Sequence, residues 1–307
     1  MNFQQLRIIR ETVRRNFNLT EAAQALLTSQ SGVSKTIRDL EQELGVEIFI
    51  RRGKRLLGLT EPGHDVTAIA DKILLEAENL QQLSRQFAGK DAGALTIATT
   101  HTQARYALPR TIAKFKLSFP NVRLTINQAS PKEIARVLLE GNADIGIATD
   151  ALEAHPDIIA FPYYTWEHAI VVPAEHPLLS EGKPTLEAIA EFRIITYDDG
   201  LTGRTRIDKA FANAGVVPDI AMSALDADVI KTYVELGLGV GIIASMAFDP
   251  ERDNGLARVD TDHLFEPSTS SIAIRRGRLF RSYAYQFIEL CSPQLTETVV
   301  RKAEARR

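Results

Sequence analysis

Apolar residues recur every three or four positions through the first part of the chain, a spacing that is typical of amphipathic helices. A first helix is predicted from Phe3, Leu6, Ile9 and Val13, which would share one face. Residues 19–44 predict two more helices joined by a tight turn. We expect Thr20 to cap the first helix of this pair, because its hydroxyl can accept a free N–H group of the first turn. Its apolar face would consist of Ala22, Ala23, Leu26 and Leu27.

The other helix of the pair follows Thr28 and Ser29, which interrupt the pattern and can cap again. Its apolar face carries Val33, Ile37, Leu40 and Leu44, and its polar face carries Gln30, Ser31, Ser34, Lys35 and Arg38. Two short helices with donors on the second are typical of a helix-turn-helix, whose second helix enters the major groove. A helical hairpin with a solvated polar face is the alternative that these residues leave open.

A basic β-hairpin is predicted after Gly45, the expected stop of the third helix. Ile48 and Ile50 alternate with Phe49, and a turn at Gly53 precedes the return strand. Such a wing would hold DNA phosphates in a salt-dependent way, whereas a solvated charge run is the alternative. The candidate DNA-binding residues are therefore Thr20, Ser29, Gln30, Ser31, Ser34, Lys35, Arg38, Arg51, Arg52, Lys54 and Arg55.

A long helix is predicted after Thr60, its expected cap, with Pro62 in the first turn. Its apolar stripe consists of Val66, Ile69, Ile73, Leu80, Leu83 and Phe87. A stripe of this kind favours pairing with a second copy of the chain, and packing on its own body is the alternative. Residues 88–93, AGKDAG, predict a hinge.

Strands and helices alternate in the rest of the chain. Strands are predicted at 94–99, 122–128 and 143–149, with helices at 103–119 and 131–140. This βαβαβ order implies a parallel sheet covered by helices on both faces. A second unit is predicted from strands near 168–173, 193–197, 220–224 and 239–244 and from helices near 203–214 and 226–236, and a strand near 271–275 and helix 280–291 are expected to return to the first unit.

The predicted fold class is therefore α/β, with three segments. A winged helix-turn-helix would occupy residues 1–59, a linker and dimerisation helix residues 60–89, and a body of two α/β lobes residues 90–307. Lobe I is expected at about 93–162 and 266–307, and lobe II at about 163–265.

Charge is distributed unevenly between the segments. Residues 1–60 carry ten Lys or Arg and six Asp or Glu, so their net charge is +4, and the total of −3 leaves −7 for the remainder. A basic head on an acidic body is typical of a DNA-binding protein with a separate regulatory body. The chain has no apolar run of membrane-spanning length, no signal-peptide pattern and a single cysteine, Cys291. We therefore expect a cytoplasmic protein with no membrane partner.

Hydroxyl side chains cluster at turns that follow predicted strands, where parallel α/β lobes bind ligands. The candidate residues are Thr100, Thr102, Gln103, Ser130, Thr149 and Thr202. These groups predict a neutral, donor-rich site for a small oxyanion or an amino-acid-like molecule. Simple helix capping by each threonine is the alternative. Trp166, the single tryptophan, lies in a segment between the lobes and could wall the cleft.

Other chemistries have weak support. The six histidines lack metal-ligand spacing, and the glycines of residues 237–241 precede a strand, the reverse of a dinucleotide loop. Asp226, Asp228 and Lys231 are conceivable catalytic groups, but we interpret the two acids as helix caps. We therefore predict no catalytic residues, no metal, no cofactor and no enzyme activity.

The chain resembles the LysR-type transcriptional regulators, and within them the CysB/Cbl branch. The head carries their winged signature at 19–63, LTEAAQALLTSQSGVSKTIRDLEQELGVEIFIRRGKRLLGLTEPG. The body carries branch motifs in IATTHTQARYALP (97–109), GNADIGIAT (141–149), ITYDDGLTGRTRID (195–208) and DADVIKTYVELGLGVGIIASMA (226–247).

This resemblance implies a body like a type 2 periplasmic binding protein and a homotetramer, a dimer of dimers, on promoter DNA. It implies that the effector is sulfur-related: sulfate, acetylserine or adenosine phosphosulfate. By motif position, the contacts would be Thr100, Thr102, Gln103, Thr149, Trp166 and Thr202. The function implied is regulation, by activation, of sulfur assimilation and cysteine biosynthesis genes.

Two alternatives stay open. The head, with Ser31 where CysB usually has proline, looks more like Cbl, which favours a regulator of sulfonate or sulfate-starvation genes, whereas residues 226–237 look more like CysB. From another class, two lobes alone would also suit a solute-binding protein without a DNA function.

Overall fold

The structure is a computed structural model. It describes residues 1–53, 55–88, 92–149, 152, 155–180, 182–201, 203–261 and 263–305, and it leaves aside the side chains at 82, 85–88 and 305. The chain divides into two units, Met1–Ala88 and Gly89–Arg307. Within the described ranges, every helix is too short or too polar to cross a membrane.

The first unit contains the predicted helix-turn-helix and wing. Helices α1 (Phe3–Arg14), α2 (Leu19–Ala25) and α3 (Gln30–Leu44) precede the strands β1 (Phe49–Arg52) and β2 (Arg55–Leu59), and helix α4 (Glu61–Ala88) follows them. The two strands pair in an antiparallel hairpin. A single core holds these elements together, built from Leu6, Ile9, Val33, Ile37, Leu40, Ile48 and Phe49.

Three residues predicted on the apolar faces of the first three helices are exposed instead. Phe3 is 52% exposed at the start of α1, Leu27 is 96% exposed just after α2, and Leu44 is 38% exposed at the end of α3. Leu27 has a φ of 52°, so the helical periodicity ends before it. A periodic pattern identifies the middle of a helix better than its ends, because end residues leave the helical backbone geometry.

The cap of α2 differs from the prediction. Asn18 Oδ1 accepts hydrogen bonds from the backbone N–H groups of Thr20, at 3.0 Å, and Glu21, at 3.3 Å. Thr20 therefore lies in the first turn, and its predicted role as the cap is wrong. The caps expected at Ser29 and Thr60 are confirmed, since their hydroxyls accept from backbone N–H groups three residues ahead, at 3.1 and 2.9 Å.

The apolar stripe of α4 has two different environments. Ala70 and Leu74 are buried in the core of the first unit, where α4 packs against α1. Of the predicted stripe, Val66 and Ile73 are partly buried against the same core, whereas Ile69, Leu80 and Leu83 are exposed. The side chain of Phe87 lies outside the described residues. One edge of the helix thus packs on its own unit, and another edge presents apolar residues to solvent.

The second unit contains the remaining elements. Its strands are β3 (Gly93–Thr99), β4 (Val122–Gln128), β5 (Ile145–Thr149), β6 (Ile158–Trp166), β7 (His168–Pro173), β8 (Ile194–Tyr197), β9 (Ile220–Ala224), β10 (Val240–Ala244), β11 (Leu256–Val259) and β12 (Ser268–Arg275). Its α-helices are α5 (Pro109–Ser118), α6 (Pro131–Leu139), α7 (Leu186–Ala190), α8 (Arg204–Ala214), α9 (Ala227–Glu235), α10 (Ser282–Cys291) and α11 (Glu297–Ala305). The predicted hinge falls partly outside the described residues, and Gly93 already belongs to β3.

These strands form two sheets. The strand order is β4-β3-β5-β12-β6 in lobe I and β11-β7-β10-β8-β9 in lobe II. The chain crosses from lobe I to lobe II between Trp166 and His168 and returns between Val259 and Ser268. Two lobes with two crossings are typical of a cleft that can open and close.

The parallel pairing predicted for β3, β4 and β5 is confirmed, but both sheets also contain antiparallel strands and are therefore mixed. In lobe I, β3 pairs parallel with β4 and β5, but β12 runs antiparallel to β5 and β6. In lobe II, β7 runs antiparallel to β10 and β11. The antiparallel strands flank the crossings, where a strand enters a sheet without the helical crossover that parallel pairing needs.

The pattern missed strands β6 and β11. Strand β6 contains Pro162, which argues against a strand inside a sheet. The pairing register with β12 shifts at this point, where Ser270 faces Tyr164 and Ser271 faces Pro162. This irregularity admits the proline, and β6 runs to Trp166, so residues 163–166 belong to the lobe I sheet rather than to lobe II as predicted.

The predicted helix 103–119 is divided in two. Residues Gln103–Ala107 form a π-helix, and α5 begins at Pro109, its first residue. Proline has no N–H group to continue the preceding hydrogen-bond ladder, so a break before Pro109 is expected physically. The wider π-turn presents the side chains from Gln103 to Tyr106 beyond the end of β3.

Candidate functional site

A cavity of about 490 Å³ lies between the two lobes. Lobe I lines it with Thr100, after β3, and Ser130, after β4. Lobe II lines it with Asp198 and Asp199, after β8, and with Asp226 before α9. The lining therefore comes from the ends of parallel strands, where α/β proteins bind ligands.

A buried hydrogen-bond network in lobe I is centred on Ser270 of β12. Its hydroxyl accepts from Gln103 Nε2 at 2.9 Å and from Trp166 Nε1 at 3.1 Å, and it lies 3.0 Å from Thr149 Oγ1. Trp166 Nε1 is also 3.1 Å from Thr149 Oγ1, and the Tyr164 hydroxyl donates to Gln103 Oε1 at 2.6 Å. The network fixes the indole and the amide in one orientation.

The structure thus brings together several residues that the sequence singled out. Thr100 and Ser130 line the cavity, whereas Gln103, Thr149 and Trp166 meet at Ser270. The buried Thr102 lies beside the hydroxyl of Tyr197 in lobe II, which accepts from Ala244 N–H at 3.0 Å. Thr202 lies outside the described residues.

The sequence predicted a neutral cavity, but the lining of the cavity carries negative charge. Three carboxylates, Asp198, Asp199 and Asp226, stand on its lobe II side. Arg204 lies 3.4 Å from Asp199 and balances part of this charge. Hydroxyl donors on one side and carboxylates on the other favour a ligand that carries both an acceptor group and a positive group.

A second set of contacts joins the lobes beside the cavity. The Tyr106 hydroxyl, in lobe I, donates to Asp228 Oδ1 at 2.6 Å, in lobe II. Arg105 Nε and Lys231 Nζ lie 3.5 and 3.4 Å from the same carboxylate. Lys231 in turn binds Asp253 at 2.9 Å. We call Tyr106, Asp228 and Lys231 the inter-lobe clasp.

The clasp perturbs the acid–base equilibria of its members. Burial opposes ionisation of Asp228, but the hydrogen bond from Tyr106 and the charges of Lys231 and Arg105 outweigh it and hold the pKa of Asp228 below its usual value. Burial and the same hydrogen bond raise the pKa of Tyr106. The helix-capping role predicted for both acids is confirmed for Asp226, which accepts from Val229 N–H at 2.9 Å. It is wrong for Asp228, which lies in the first turn of α9 and accepts from Tyr106.

One group of the described residues has the spacing of a metal site. His101, Asp226 and Asp228 place possible ligand atoms within 4.8 Å of one another. Asp228, however, already accepts from Tyr106 and is flanked by Arg105 and Lys231. Two neighbouring positive charges oppose the binding of a further cation, so we assign no ion to this group.

The polar face of α3 is available for contacts. Gln30, Ser31, Lys35 and Arg38 are exposed, and Ser34 is partly exposed. Ser29 caps the helix and lies 3.2 Å from the Ser31 hydroxyl, and Arg38 Nη2 donates to Ser34 Oγ at 3.3 Å. The helix therefore presents a continuous row of donors.

The wing contributes basic side chains with different roles. Arg52 and Arg55 are exposed, but Arg51 Nη2 lies 2.6 Å from Glu41 Oε2. Glu41 also accepts from the backbone N–H groups of Ile48 and Phe49, at 3.0 and 3.2 Å. Arg51 and Glu41 thus tie the base of the wing to α3. Lys54 lies outside the described residues.

Thr20, Gln30 and Arg55 share one concavity of about 320 Å³ in the first unit. Residues 16–19 and Leu56 complete its lining. This concavity brings α2, α3 and the wing together around three residues that the sequence predicted to contact DNA. A DNA strand that crosses it would meet a hydroxyl, an amide and a guanidinium.

Two family models match the chain. The model "Bacterial regulatory helix-turn-helix protein, lysR family" matches residues 3–64, and "LysR substrate binding domain" matches residues 88–296. The chain belongs to the LysR family of transcriptional regulators. The HTH match rules out the alternative of a solute-binding protein without a DNA function.

Close relatives of this LysR-type regulator have names from the predicted branch. The transcriptional regulator SsuR of Burkholderia cenocepacia is 58% identical over 300 residues, which cover 98% of this chain and 97% of that protein. The transcriptional regulator CysB of the same organism is 52% identical, over 99% of this chain and 97% of that protein. These names are those of regulators, which agrees with the prediction of no enzyme activity.

A solved structure of the branch covers the body of the LysR-type regulator. The crystal structure of the cofactor-binding domain of the Cbl transcriptional regulator is 47% identical and has a TM-score of 0.67. It covers 70% of this chain and 95% of that domain. Membership of the CysB/Cbl branch, first inferred from motifs, is thereby confirmed.

Sequence reasoning missed Ser270 and Tyr164 in this regulator. Both lie on strands of lobe I, β12 and β6, and β6 was not predicted at all. A signal existed in β12, which opens with four consecutive hydroxyl residues, Ser268 to Ser271, before the apolar Ile272. Ser268 and Ser270 are fully buried, and buried hydroxyls on one face of a strand indicate a polar network there.

Proposed function

We propose that this LysR-type regulator controls genes of sulfur assimilation and cysteine biosynthesis. It would bind promoter DNA through the winged helix-turn-helix and a small sulfur-related effector in the cleft between the lobes. The observation that carries the proposal is the buried network in which Gln103, Thr149 and Trp166 converge on Ser270, beside an open cavity. The similarity to regulators named CysB and SsuR supports the same interpretation.

The chemistry of the cleft narrows the effector class. The proposed contacts are Thr100, Thr102, Gln103, Ser130, Thr149, Trp166 and Thr202. The donors of lobe I suit an oxyanion, and the carboxylates of lobe II suit an ammonium group. Acetylserine carries both groups, whereas sulfate carries only the first. Adenosine phosphosulfate adds several negative charges, which Asp198, Asp199 and Asp226 would repel.

The DNA contacts would be divided between the groove and the backbone. Gln30, Ser31, Ser34, Lys35 and Arg38 on α3 are placed to meet base edges and phosphates of the major groove. Thr20, Ser29, Arg52, Lys54 and Arg55 would contact the backbone or the minor groove. Arg51 would act through Glu41, because this pair fixes the wing.

We further propose that the regulator assembles as a homotetramer, a dimer of dimers, in the cytoplasm. The exposed apolar side chains of Ile69, Leu80 and Leu83 on α4 support pairing of this helix with a second copy. Burying them between two helices would remove apolar area from water. Sedimentation of the full chain tests the state: a monomer at micromolar concentration would contradict the proposal.

Trp166 offers a direct test of effector binding, because it is the single tryptophan and lies in the proposed site. Its emission should change on titration with acetylserine and with sulfate, and acetylserine should bind more tightly. Calorimetry with the same compounds and with adenosine phosphosulfate gives the affinities. An unchanged emission and no heat with all three compounds would contradict the proposed effector class.

A Cbl-like regulator of sulfonate or sulfate-starvation genes is the second candidate. It is favoured by Ser31 in α3, where CysB usually has proline. Binding assays with promoter fragments from a cysteine operon and a sulfonate operon separate the two. Tighter binding to the sulfonate fragment would support this second candidate.

A further inference from the structure

Ser268 and Ser270 lie two residues apart on β12, so their side chains point to the same face of the lobe I sheet. Both are fully buried. The Ser270 hydroxyl has partners in Gln103, Thr149 and Trp166. The Ser268 hydroxyl, in contrast, has no hydrogen-bond partner among the residues that the structure describes.

The neighbour of this hydroxyl is the beginning of α8. Gly203 precedes the helix with a φ of 69°, and as the N-cap residue it offers no side chain to cap the first N–H groups. A Cβ atom at position 203 would lie 2.9 Å from Ser268 Oγ and 2.9 Å from His168 Cε1. Only glycine therefore allows the backbone to come so close, and the N-terminus of α8 meets Ser268 directly.

Ser268 is also continuous with the proposed effector contacts. It pairs across the strands with Trp166, whose indole lies edge-on to His168 with ring centroids 4.9 Å apart. The indole N–H group in turn bonds to Thr149 and Ser270. The unpartnered hydroxyl thus extends the network of lobe I to the helix N-terminus of lobe II.

Two physical arguments point to an anion at this position. A buried hydroxyl without a partner is unfavourable, so native proteins nearly always supply one from protein, water or ligand. The N-terminus of an α-helix carries a partial positive charge and free N–H donors, which favour a negative group. A ligand oxyanion in contact with both groups would satisfy both of them.

We propose that Ser268 is a specificity-determining residue of the effector site, whose hydroxyl donates a hydrogen bond to the oxyanion end of the ligand at the N-terminus of α8. The proposal rests on the proposed function, namely that the cleft takes a small ligand with an oxyanion group. A carboxylate, a sulfonate and a sulfate share this chemistry. Because the hydroxyl bridges the two lobes through the ligand, its loss would also weaken the closed arrangement.

The test compares Ser268→Ala with Thr269→Ala in the full chain. Thr269 is the matched control, because it lies on the same strand, points to the other face and is partly exposed. Trp166 emission and calorimetry give the affinities for acetylserine, methanesulfonate and sulfate, and these three probes distinguish the sources of the oxyanion. Thermal unfolding without ligand reports whether the hydroxyl has a structural partner.

Ser268→Ala should weaken binding of at least one probe about tenfold, as expected for the loss of one hydrogen bond to a charged group. The affinities of Thr269→Ala for the three probes should stay within about twofold of those of the wild type. The melting temperature of unliganded Ser268→Ala should equal or exceed that of the wild type, because no protein hydrogen bond is lost. Ser268→Thr, which keeps the hydroxyl, should bind the same probe more tightly than Ser268→Ala.

Three results would overturn the inference. If the wild type binds a probe and Ser268→Ala binds all probes equally well, the inference alone fails and the proposed function stands. The same holds if Ser268→Ala melts several degrees lower without ligand, since the hydroxyl would then serve the fold. If the wild type binds none of the three probes, the proposed function fails and the inference fails with it.

Discussion

The Tyr106 hydroxyl donates a 2.6 Å hydrogen bond to the Asp228 carboxylate, and this bond joins the two lobes of the body. Tyr106 lies in the π-helix after β3, and Asp228 lies in the first turn of α9. Lys231, one turn further along α9, links the same carboxylate to Asp253. The clasp therefore holds the cleft at one edge, beside the cavity.

Removing the clasp hydroxyl should destabilise the body. Tyr106→Phe deletes a hydrogen bond to a charged group, which contributes about 1–2 kcal/mol at a partly exposed site. For a unit of this size, such a loss lowers the melting temperature by roughly 2–8 °C. Calorimetric unfolding measures it, with Tyr233→Phe on α9 as the control. Equal melting temperatures for Tyr106→Phe and the wild type would show that the clasp contributes nothing.

The low pKa of Asp228 predicts a pH dependence with a defined sign. The folded protein holds this pKa below its ordinary value near 3.8, so the native state binds fewer protons than the unfolded state. The contribution of Asp228 to stability is therefore complete above about pH 5 and is lost progressively as the pH falls below that value. Asp228→Asn should reduce the loss of stability between pH 5 and pH 3.

The control for this loss of stability at low pH is Asp219→Asn, which removes an exposed carboxylate away from the clasp. Urea unfolding at several pH values gives the free energies. The interpretation is contradicted if Asp228→Asn and the wild type lose stability in parallel over this range.

Exposed and paired arginines of the head should behave differently. Arg38→Ala and Arg55→Ala each remove an exposed charge, so each should weaken promoter binding and reduce the salt slope by about one. Arg51→Ala should lower the stability of the wing instead, because Arg51 pairs with Glu41. Fluorescence anisotropy at several salt concentrations measures the first effect, with Arg301→Ala in α11 as the control. A salt slope unchanged in both exposed variants would exclude them as phosphate contacts.

How far the sequence predicts this protein depends on the kind of signal. The core of the helix-turn-helix follows from the periodic Val33, Ile37 and Leu40, because helix burial repeats at 3.6 residues. Strand β6 is not predicted, because Pro162 breaks the strand signal. The position of β6 at the edge of the sheet and the register irregularity opposite β12 accommodate the proline. Local pattern thus predicts elements, but not the irregularities that neighbouring strands impose.

Some residues of the candidate site can also be predicted from local sequence pattern, and others cannot. The threonines after strands were predictable, since the ends of parallel strands meet at one edge. Ser270 and the carboxylates of lobe II were not, because strands 121 residues apart in sequence, such as those of Thr149 and Ser270, become neighbours only in the sheet. The pairing of Tyr106 with Asp228 spans 122 residues and has no local signal.

The single cysteine should be unreactive in the folded protein. Burial raises the pKa of Cys291 to about 12, although the hydrogen bond with Tyr163 acts in the opposite direction. At pH 8 the group is therefore a thiol, and thiols react with disulfide reagents far more slowly than thiolates. Ellman's reagent should label the native chain at least about a hundredfold more slowly than the chain in urea. Rapid labelling without denaturant would contradict this prediction.

We propose that this chain binds promoter DNA through its winged helix-turn-helix and that a ligand in the cleft between the lobes changes this binding. The most direct measurement is the affinity of the full chain for a cysteine-operon promoter fragment, by anisotropy, with and without acetylserine or sulfate. We predict that one of these ligands changes the wild-type affinity at least about fivefold. Thr102→Ala should keep the basal affinity and lose this response. No promoter binding at low salt, or an equal response in Thr102→Ala, would contradict the account.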